Sequence, residues 1–271
     1  MTLKVLSVAG FDGSGGAGIT SDVKIFSKIK HIGLSAITVM TAQNPDMVYK
    51  IEPVSEDFFS AQLKAVFDYF LIDAVKIGLV FDGVQSSILC GFLKKYKPRT
   101  VVLDPVYIST SEKMLTAKSG YPDFLFPLFK HTTVITPNIK EAELIAGINI
   151  NCLNEMEDAA KIIKKRFPEI KNIIIKGSHI FEKNNEAAIK NIVLNSKGEF
   201  SVFKSKILHS GKQIHGTGCA FSACIVSYLA AGFSIEDAVG KTEKFVSRII
   251  RDFKKIPDNT SEKNIYITGN I

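Results

Sequence analysis

Six short apolar runs separated by helical patterns constrain this chain more than any other feature. They cover residues 3–9, 36–40, 74–79, 100–103, 133–136 and 172–176, and each is rich in Val, Ile and Leu. A run that is apolar on both faces suits a strand inside a parallel sheet covered on both sides. Between them, 56–70 and 158–167 carry apolar and charged residues at helical spacing. This βαβ succession predicts a doubly wound α/β fold. Further on, 189–194 and 199–204 flank Asn195-Ser196-Lys197-Gly198 and read as a hairpin near the sheet edge. Two helices follow, at 216–231 and 234–253, and the tail after Ile256 is polar and poorly patterned. With no repeat and no linker, a single domain over 1–271 is expected, its polar tail starting at residue 257.

The strand ends carry residues that a core does not require. They are Ala9-Gly10, Thr41-Ala42-Gln43-Asn44, Lys76 with Gly78, Asp104-Pro105, Thr136-Pro137-Asn138 and Lys176-Gly177. One polar strand end is ordinary turn chemistry. Six in succession predict a ligand site, because open parallel sheets bind ligands beyond the carboxyl ends of their strands.

Composition narrows the ligand. The net charge of +7 comes from scattered Lys and Arg with no aromatic interleaving. That argues against a nucleic-acid partner and suits an anionic small molecule such as a nucleotide. The cysteines at 90, 152, 219 and 224 form no CxxC pair and no zinc-like spacing, so a reduced, cytoplasmic setting is expected. Lys4 interrupts the first apolar run, which excludes a signal-peptide core there. The longest nearly apolar stretch, 219–233, carries Ser222 and Ser227. It falls short of the roughly 20 residues that span a bilayer, so no membrane partner is expected.

Three local patterns carry chemistry. His215-Gly216-Thr217-Gly218-Cys219 opens an apolar helical run. Bare backbone at a helix N-terminus makes an anion site, and a thiol there is expected to ionise below its usual range. The alternative is a glycine-started core helix with a buried thiol. Gly13-Ser14-Gly15-Gly16-Ala17-Gly18 satisfies GxGxxG, but the second strand ends Thr38-Val39-Met40 without the acid a dinucleotide fold needs. Ile19 and Thr20 also exclude a Walker A loop, so the glycines read as a wall closing over a small ligand. Finally, Asn138 and Glu141 fit the N-cap and N3 of a capping box. Equally, Asp104 and Glu141 can hold Mg2+, directly or through water, beside nucleotide phosphates. Lys176 emerges from an apolar strand, where a charge needs a partner, and a phosphate is the expected one.

Taken together, these residues resemble the ribokinase-like superfamily, and within it the hydroxymethylpyrimidine/phosphomethylpyrimidine kinases of thiamine synthesis. The resemblance runs over about 3–250. It is carried by residues 9–19, Asp22, 41–44, 76–79, 104–106, 136–138 with Glu141, 176–179 and 215–219. It implies a three-layer αβα sandwich with a mainly parallel central sheet, a homodimer, and ATP with Mg2+. It places the pyrimidine against Gly10, Ala17, Gln43, Leu79 and Val106. ATP would meet Asn138, Glu141, Lys176 and Thr217, with metal near Asp104 and Glu141. The transferring phosphoryl would lie on the backbone of Gly216, Thr217, Gly218 and Cys219, and Cys219 would take or align the substrate proton.

The implied activity is ATP-dependent phosphorylation of 4-amino-5-hydroxymethyl-2-methylpyrimidine and then of its monophosphate. Pyridoxal kinases of the same branch share the glycine-cysteine motif, and a silent ligand-binding relative is a second alternative. A sugar kinase would carry Asp where Cys219 stands. Three departures bear on substrate choice: Leu79 where Met is common, Phe11 and Gly13 in place of Thr and Pro, and Ser109-Thr110-Ser111-Glu112 in the phosphate-side loop.

Overall fold

The six apolar runs become six parallel strands of one sheet. The computed structural model describes residues 2–44, 46–109, 113–117, 120–177, 188–206, 213–251 and 264–266. The chain begins β1 (Lys4–Asp12), α1 (Gly18–Lys28), β2 (Ile32–Gln43), β3 (Val48–Pro53), α2 (Glu56–Tyr69) and β4 (Ala74–Ile77). It continues with α3 (Gly83–Tyr96), β5 (Thr100–Leu103), α4 (Phe126–Phe129), β6 (Val134–Ile135), α5 (Ile139–Ala146) and α6 (Leu153–Arg166). Then come β7 (Asn172–Gly177), β8 (Ala188–Leu194), β9 (Phe200–Lys206), β10 (Gln213–His215), α7 (Thr217–Ala230), α8 (Ile235–Arg251) and β11 (Asn264–Tyr266).

The sheet order is β3-β2-β1-β4-β5-β6-β7-β8-β9. Strands β1, β2, β4, β5, β6 and β7 are parallel. The hairpin β8–β9 and the strand β3 pair antiparallel at the two edges. From β1 the chain steps outward to β2 on one side and later returns to β4 on the other. This reversal makes the carboxyl ends of β1 and β4 the switch point where such sheets bind ligands.

Strand periodicity sorts side chains between two helical layers. Leu6, Val8, Val75, Ile77, Val101, Leu103 and Ile135 join a core with α2 to α6. Val5, Ala74, Val102, Val134 and Ile174 join a second core with α1, α7 and α8. Successive residues point to opposite faces, so Ser7, Lys76 and Lys176 lie on the α1/α7 face with the second set. Asp104 and Thr136, just past β5 and β6, continue the same parity. This single rule delivers five polar residues to one place.

Two elements depart from the sequence reading. β3 was not anticipated: it is an edge strand whose residues are mostly exposed, so it shows no apolar run. The tail read as unpatterned contributes β11, which pairs in parallel with β10. That pairing joins backbones about fifty residues apart, and no local side-chain pattern reports it. The final residues of the predicted last helix, 252–253, lie outside the described residues.

Candidate active site

Asp12, buried at the end of β1, shapes the glycine loop. Its Oδ1 accepts from Ser14 N–H (2.8 Å) and Ser14 Oγ–H (2.7 Å), and its Oδ2 accepts from Ala17 N–H (2.9 Å). The loop is pressed against α7. Gly216, the N-cap of α7, has φ +86°, and a Cβ there would lie 1.8 Å from the Gly16 carbonyl oxygen. Gly18, at φ +57°, comes equally close to the Gly10 carbonyl, 2.1 Å from where a Cβ would stand. The N-termini of α1 and α7 therefore abut, and only glycine permits the approach. The first intrahelical bond of α7 runs from Ala220 N–H to Gly216 O at 2.9 Å. Earlier N–H groups of any helix lack such an acceptor, and with the helix dipole they favour an anion.

Behind that helix end lie two ion pairs, one fully buried and one with its lysine partly exposed. Lys176 Nζ donates to Asp104 Oδ1 at 2.6 Å. Thr136 Oγ1 also reaches Oδ1 (3.3 Å), and Ser222 Oγ donates to Oδ2 at 2.9 Å. The chain itself supplies Lys176 with a carboxylate partner. Lys176 Nζ nevertheless lies 3.4 Å from where a Cβ at Gly218 would stand, directly against α7. The second pair joins Lys76 Nζ to Asp22 at 2.8 and 3.1 Å, with Ser7 Oγ donating to Asp22 at 2.5 Å. Both Lys76 and Asp22 are fully buried.

Cys219 stands half-buried in the first turn of α7. Burial pushes its thiol up, and the opposing pull of Lys76 does not win, because Asp22 and Asp104 add to the upward push. This corrects the expectation of a thiol ionising below its usual range. A helix N-terminus acts within its first turn and is worth a fraction of a kcal/mol when exposed, whereas desolvation of a charge is larger.

Asn138 and Glu141 form the capping box of α5. Asn138 Oδ1 accepts from Glu141 N–H at 2.9 Å, and Glu141 Oε2 accepts from Asn138 N–H at 2.8 Å. The structural reading of this pair is therefore correct. It does not exhaust the pair, because Asn138 bridges β7 at Lys176 and Lys176 N–H donates to Pro137 O. Burial lifts the Glu141 carboxyl to about 8, with Asp104 adding to the rise and Lys176 opposing it.

From its ordinary value of 4.5 up to about 8, the folded protein holds a proton that the unfolded chain has lost. Ligand-free stability therefore falls as pH rises through that window. Glu141→Gln keeps an oxygen for the Asn138 N–H and removes the titration. Its Tm is expected to fall less steeply than that of the parent protein between about pH 6 and 8.5; parallel curves would contradict the assignment.

The chemistry of these carboxylates fits Mg2+. A buried carboxyl held protonated gains from a cation beside it. Both Asp104 oxygens already accept protein hydrogen bonds, which suits contact through water, as Mg2+ commonly makes. Among the described residues, no group of three or more His, Cys, Asp or Glu side chains forms a closed metal cage.

The residues expected to meet a substrate ring gather at the switch point. A Cβ at Gly10 would lie 3.1 Å from Leu79 Cδ2. Leu79 and Val106 share a small apolar cluster with Val39, Val48 and Leu115. Gln43 ends β2 opposite Val48, after a register shift, and Ala17 caps α1 on the α7 side. Ser178, His179 and 110–112 lie outside the described residues, as do the side chains of 213–215.

The sequence and the fold have known relatives. The phosphomethylpyrimidine kinase family matches residues 12–263. The chain belongs to that family. It is 33% identical over 251 residues to the hydroxymethylpyrimidine/phosphomethylpyrimidine kinase of Aquifex aeolicus, covering 93% of this chain and 95% of that protein. The crystal structure of phosphomethylpyrimidine kinase from Clostridium difficile 630 superposes with a TM-score of 0.76 at 36% identity, covering 92% of this chain and all of that one. The pyridoxal kinase of Staphylococcus aureus in complex with AMP-PCP and pyridoxal gives a TM-score of 0.82 at 26% identity, over 95% and 91% of the two chains. The chain is thus a ribokinase-like α/β kinase. No helix among its described residues is long and apolar enough to cross a membrane.

The sequence reading did not foresee the pairing of Lys76 with Asp22, nor the contacts of Ser7, Thr136 and Ser222. A signal existed for some of them: Lys76 is charged inside an apolar strand, and Ser222 lies three residues after Cys219, on the same helical face.

Proposed function

We propose that the chain uses ATP to phosphorylate the hydroxymethyl group of 4-amino-5-hydroxymethyl-2-methylpyrimidine, and then the resulting monophosphate, in thiamine biosynthesis. The observation that carries the reading is the Lys176–Asp104 pair lying against Gly218, at the N-terminus of α7, in a member of this kinase family. Phosphoryl transfer depends on positioning and on neutralising charge. The first-turn N–H groups of Gly216, Thr217, Gly218 and Cys219 hold the transferring phosphoryl. Lys176, with Asn138 and Thr217, holds the ATP phosphates, and Asp104 returns Lys176 to place between turnovers. Gly10, Ala17, Gln43, Leu79 and Val106 line the ring, and the Gln43 amide offers the aminopyrimidine both a donor and an acceptor. Cys219 receives or aligns the substrate hydroxyl proton. Asp104 and Glu141 would hold Mg2+, directly or through water, and the ion would supply positive charge at the phosphates. In this reading the whole chain is one kinase domain working as a homodimer in the cytoplasm.

A second reading, pyridoxal kinase, is favoured by the structural likeness to the Staphylococcus aureus enzyme. A coupled ADP-release assay with pyrimidine, pyrimidine monophosphate and pyridoxal side by side decides between them. Higher kcat/KM for the two pyrimidines is expected. Higher kcat/KM for pyridoxal would move the assignment, and no turnover with any of them would point to a silent relative.

A further inference from the structure

The turn that closes β5 serves both halves of the site. Asp104 reaches Lys176 on one side, and Val106 joins the apolar cluster of Leu79 on the other. Val106 N–H donates to Asp104 O at 2.8 Å, making a three-residue turn whose central position suits the fixed φ of Pro105. The buried Pro105 offers its carbonyl to Tyr121, whose Oη–H donates to it at 2.7 Å. The Tyr121 ring stacks on Tyr107, with centroids 4.4 Å apart, and Phe124 meets it edge-on at 6.0 Å. Tyr107 O accepts in turn from Leu115 N–H at 2.8 Å, and Leu115 belongs to the same apolar cluster as Val106. Burial holds the phenol protonated, so it remains a donor.

We propose that the Tyr121 hydroxyl fixes the Val106 wall of the ring cavity and thereby sets affinity for the ring substrate. The inference rests on the ring site given above and makes Tyr121 a positioning residue. The two ends of the turn are held differently. Asp104 has side-chain partners of its own in Lys176, Thr136 and Ser222, and its N–H donates to Ile77 O at 2.8 Å. Val106 has an apolar side chain, which packs but takes no hydrogen bond. Freeing the Pro105 carbonyl therefore loosens Val106 and leaves Asp104 in place. The effect falls on the ring substrate, while the ATP side keeps its anchors.

Tyr121→Phe keeps the ring contacts and removes the one donor. In the full chain, kcat/KM for the ring substrate is expected to fall about tenfold, the effect of leaving one buried carbonyl without its bond. The KM for ATP should stay unchanged. Hydroxymethylpyrimidine and pyridoxal are both assayed, and the fall is read on whichever the parent protein phosphorylates. Phe124→Leu is the comparison, because it removes the edge contact with the same ring and keeps the hydroxyl. It is expected to lower Tm and to leave kcat/KM for the ring and KM for ATP as they were. An equal fall in Phe124→Leu, or a matching rise in KM for ATP in Tyr121→Phe, would reduce Tyr121 to packing and overturn the proposal. Amide exchange at Val106, followed by NMR with isotope-labelled valine, needs no ligand. Tyr121→Phe is expected to speed it, and an unchanged rate overturns the proposal whatever the turnover. A parent protein that phosphorylates neither ring would refute the kinase reading, and the Val106 exchange rate would still decide whether Tyr121 holds the wall.

Discussion

Replacing Cys219 by alanine is expected to lower kcat by about 10²–10⁴, the usual contribution of a positioned proton-transfer group. The KM for ATP should hardly change. The substitution removes only the sulfur: alanine is the best helix former, so the first turn of α7 and its N–H donors stay in place. The pairs Lys76–Asp22 and Lys176–Asp104 remain. Because burial holds the thiol above its ordinary range, the parent kcat should still be rising with pH above neutrality, whereas the residual activity of Cys219→Ala should lack that limb. Steady-state kinetics against pH, with nucleotide binding measured separately, checks both points. Near-parent turnover in Cys219→Ala would remove the proton-handling role and leave the helix end as the main source of rate.

Gly216→Ala is expected to damage the site further, by geometry. The N-cap sits at φ +86°, a region that costs a residue with Cβ roughly 1–2 kcal/mol. The new methyl would also stand 1.8 Å from the Gly16 carbonyl oxygen, closer than any non-bonded contact allows. Either the glycine loop or the first turn of α7 must retreat. Both walls of the site then separate, and the anion-binding N–H groups leave their aim. The loss of one such donor costs about 10²–10³ in kcat, so a fall of at least that size is expected, with a lower Tm. Gly91 gives the control, since a Cβ there meets nothing within 4 Å. Gly91→Ala should leave turnover unchanged. If Gly216→Ala kept parent kcat/KM, the abutment of the two helix ends would be irrelevant to catalysis.

Much of this site was legible before any coordinates. Strands buried on both faces announce themselves as continuous apolar runs, and a polar residue closing such a run is conspicuous. Asp104, Lys176 and the glycines around residue 216 were visible in that way. The capping box at Asn138 and Glu141 was equally readable, because its spacing is local. What remained hidden was pairing. Lys176 looked like a charge awaiting a phosphate, and the structure gives it Asp104, seventy-two residues away in sequence. The expected direction of the Cys219 equilibrium was wrong for a different reason: a helix N-terminus can be seen in sequence, but the burial that outweighs it cannot. β3 was missed because an exposed edge strand buries too little to leave a periodic trace, and β11 because its partner β10 lies about fifty residues away.

The sequence by itself determined the fold class, the end of the sheet at which ligands bind, and the residue types gathered there. These follow from periodicity, turn chemistry and helix capping, all of which act over a few residues. Only the tertiary structure decided which charges neutralise one another, how tightly the glycine loop meets α7, and which way the Cys219 proton equilibrium leans. Those depend on distances across the sheet and on exclusion of water, and both arise only when the two helical layers close over the strands.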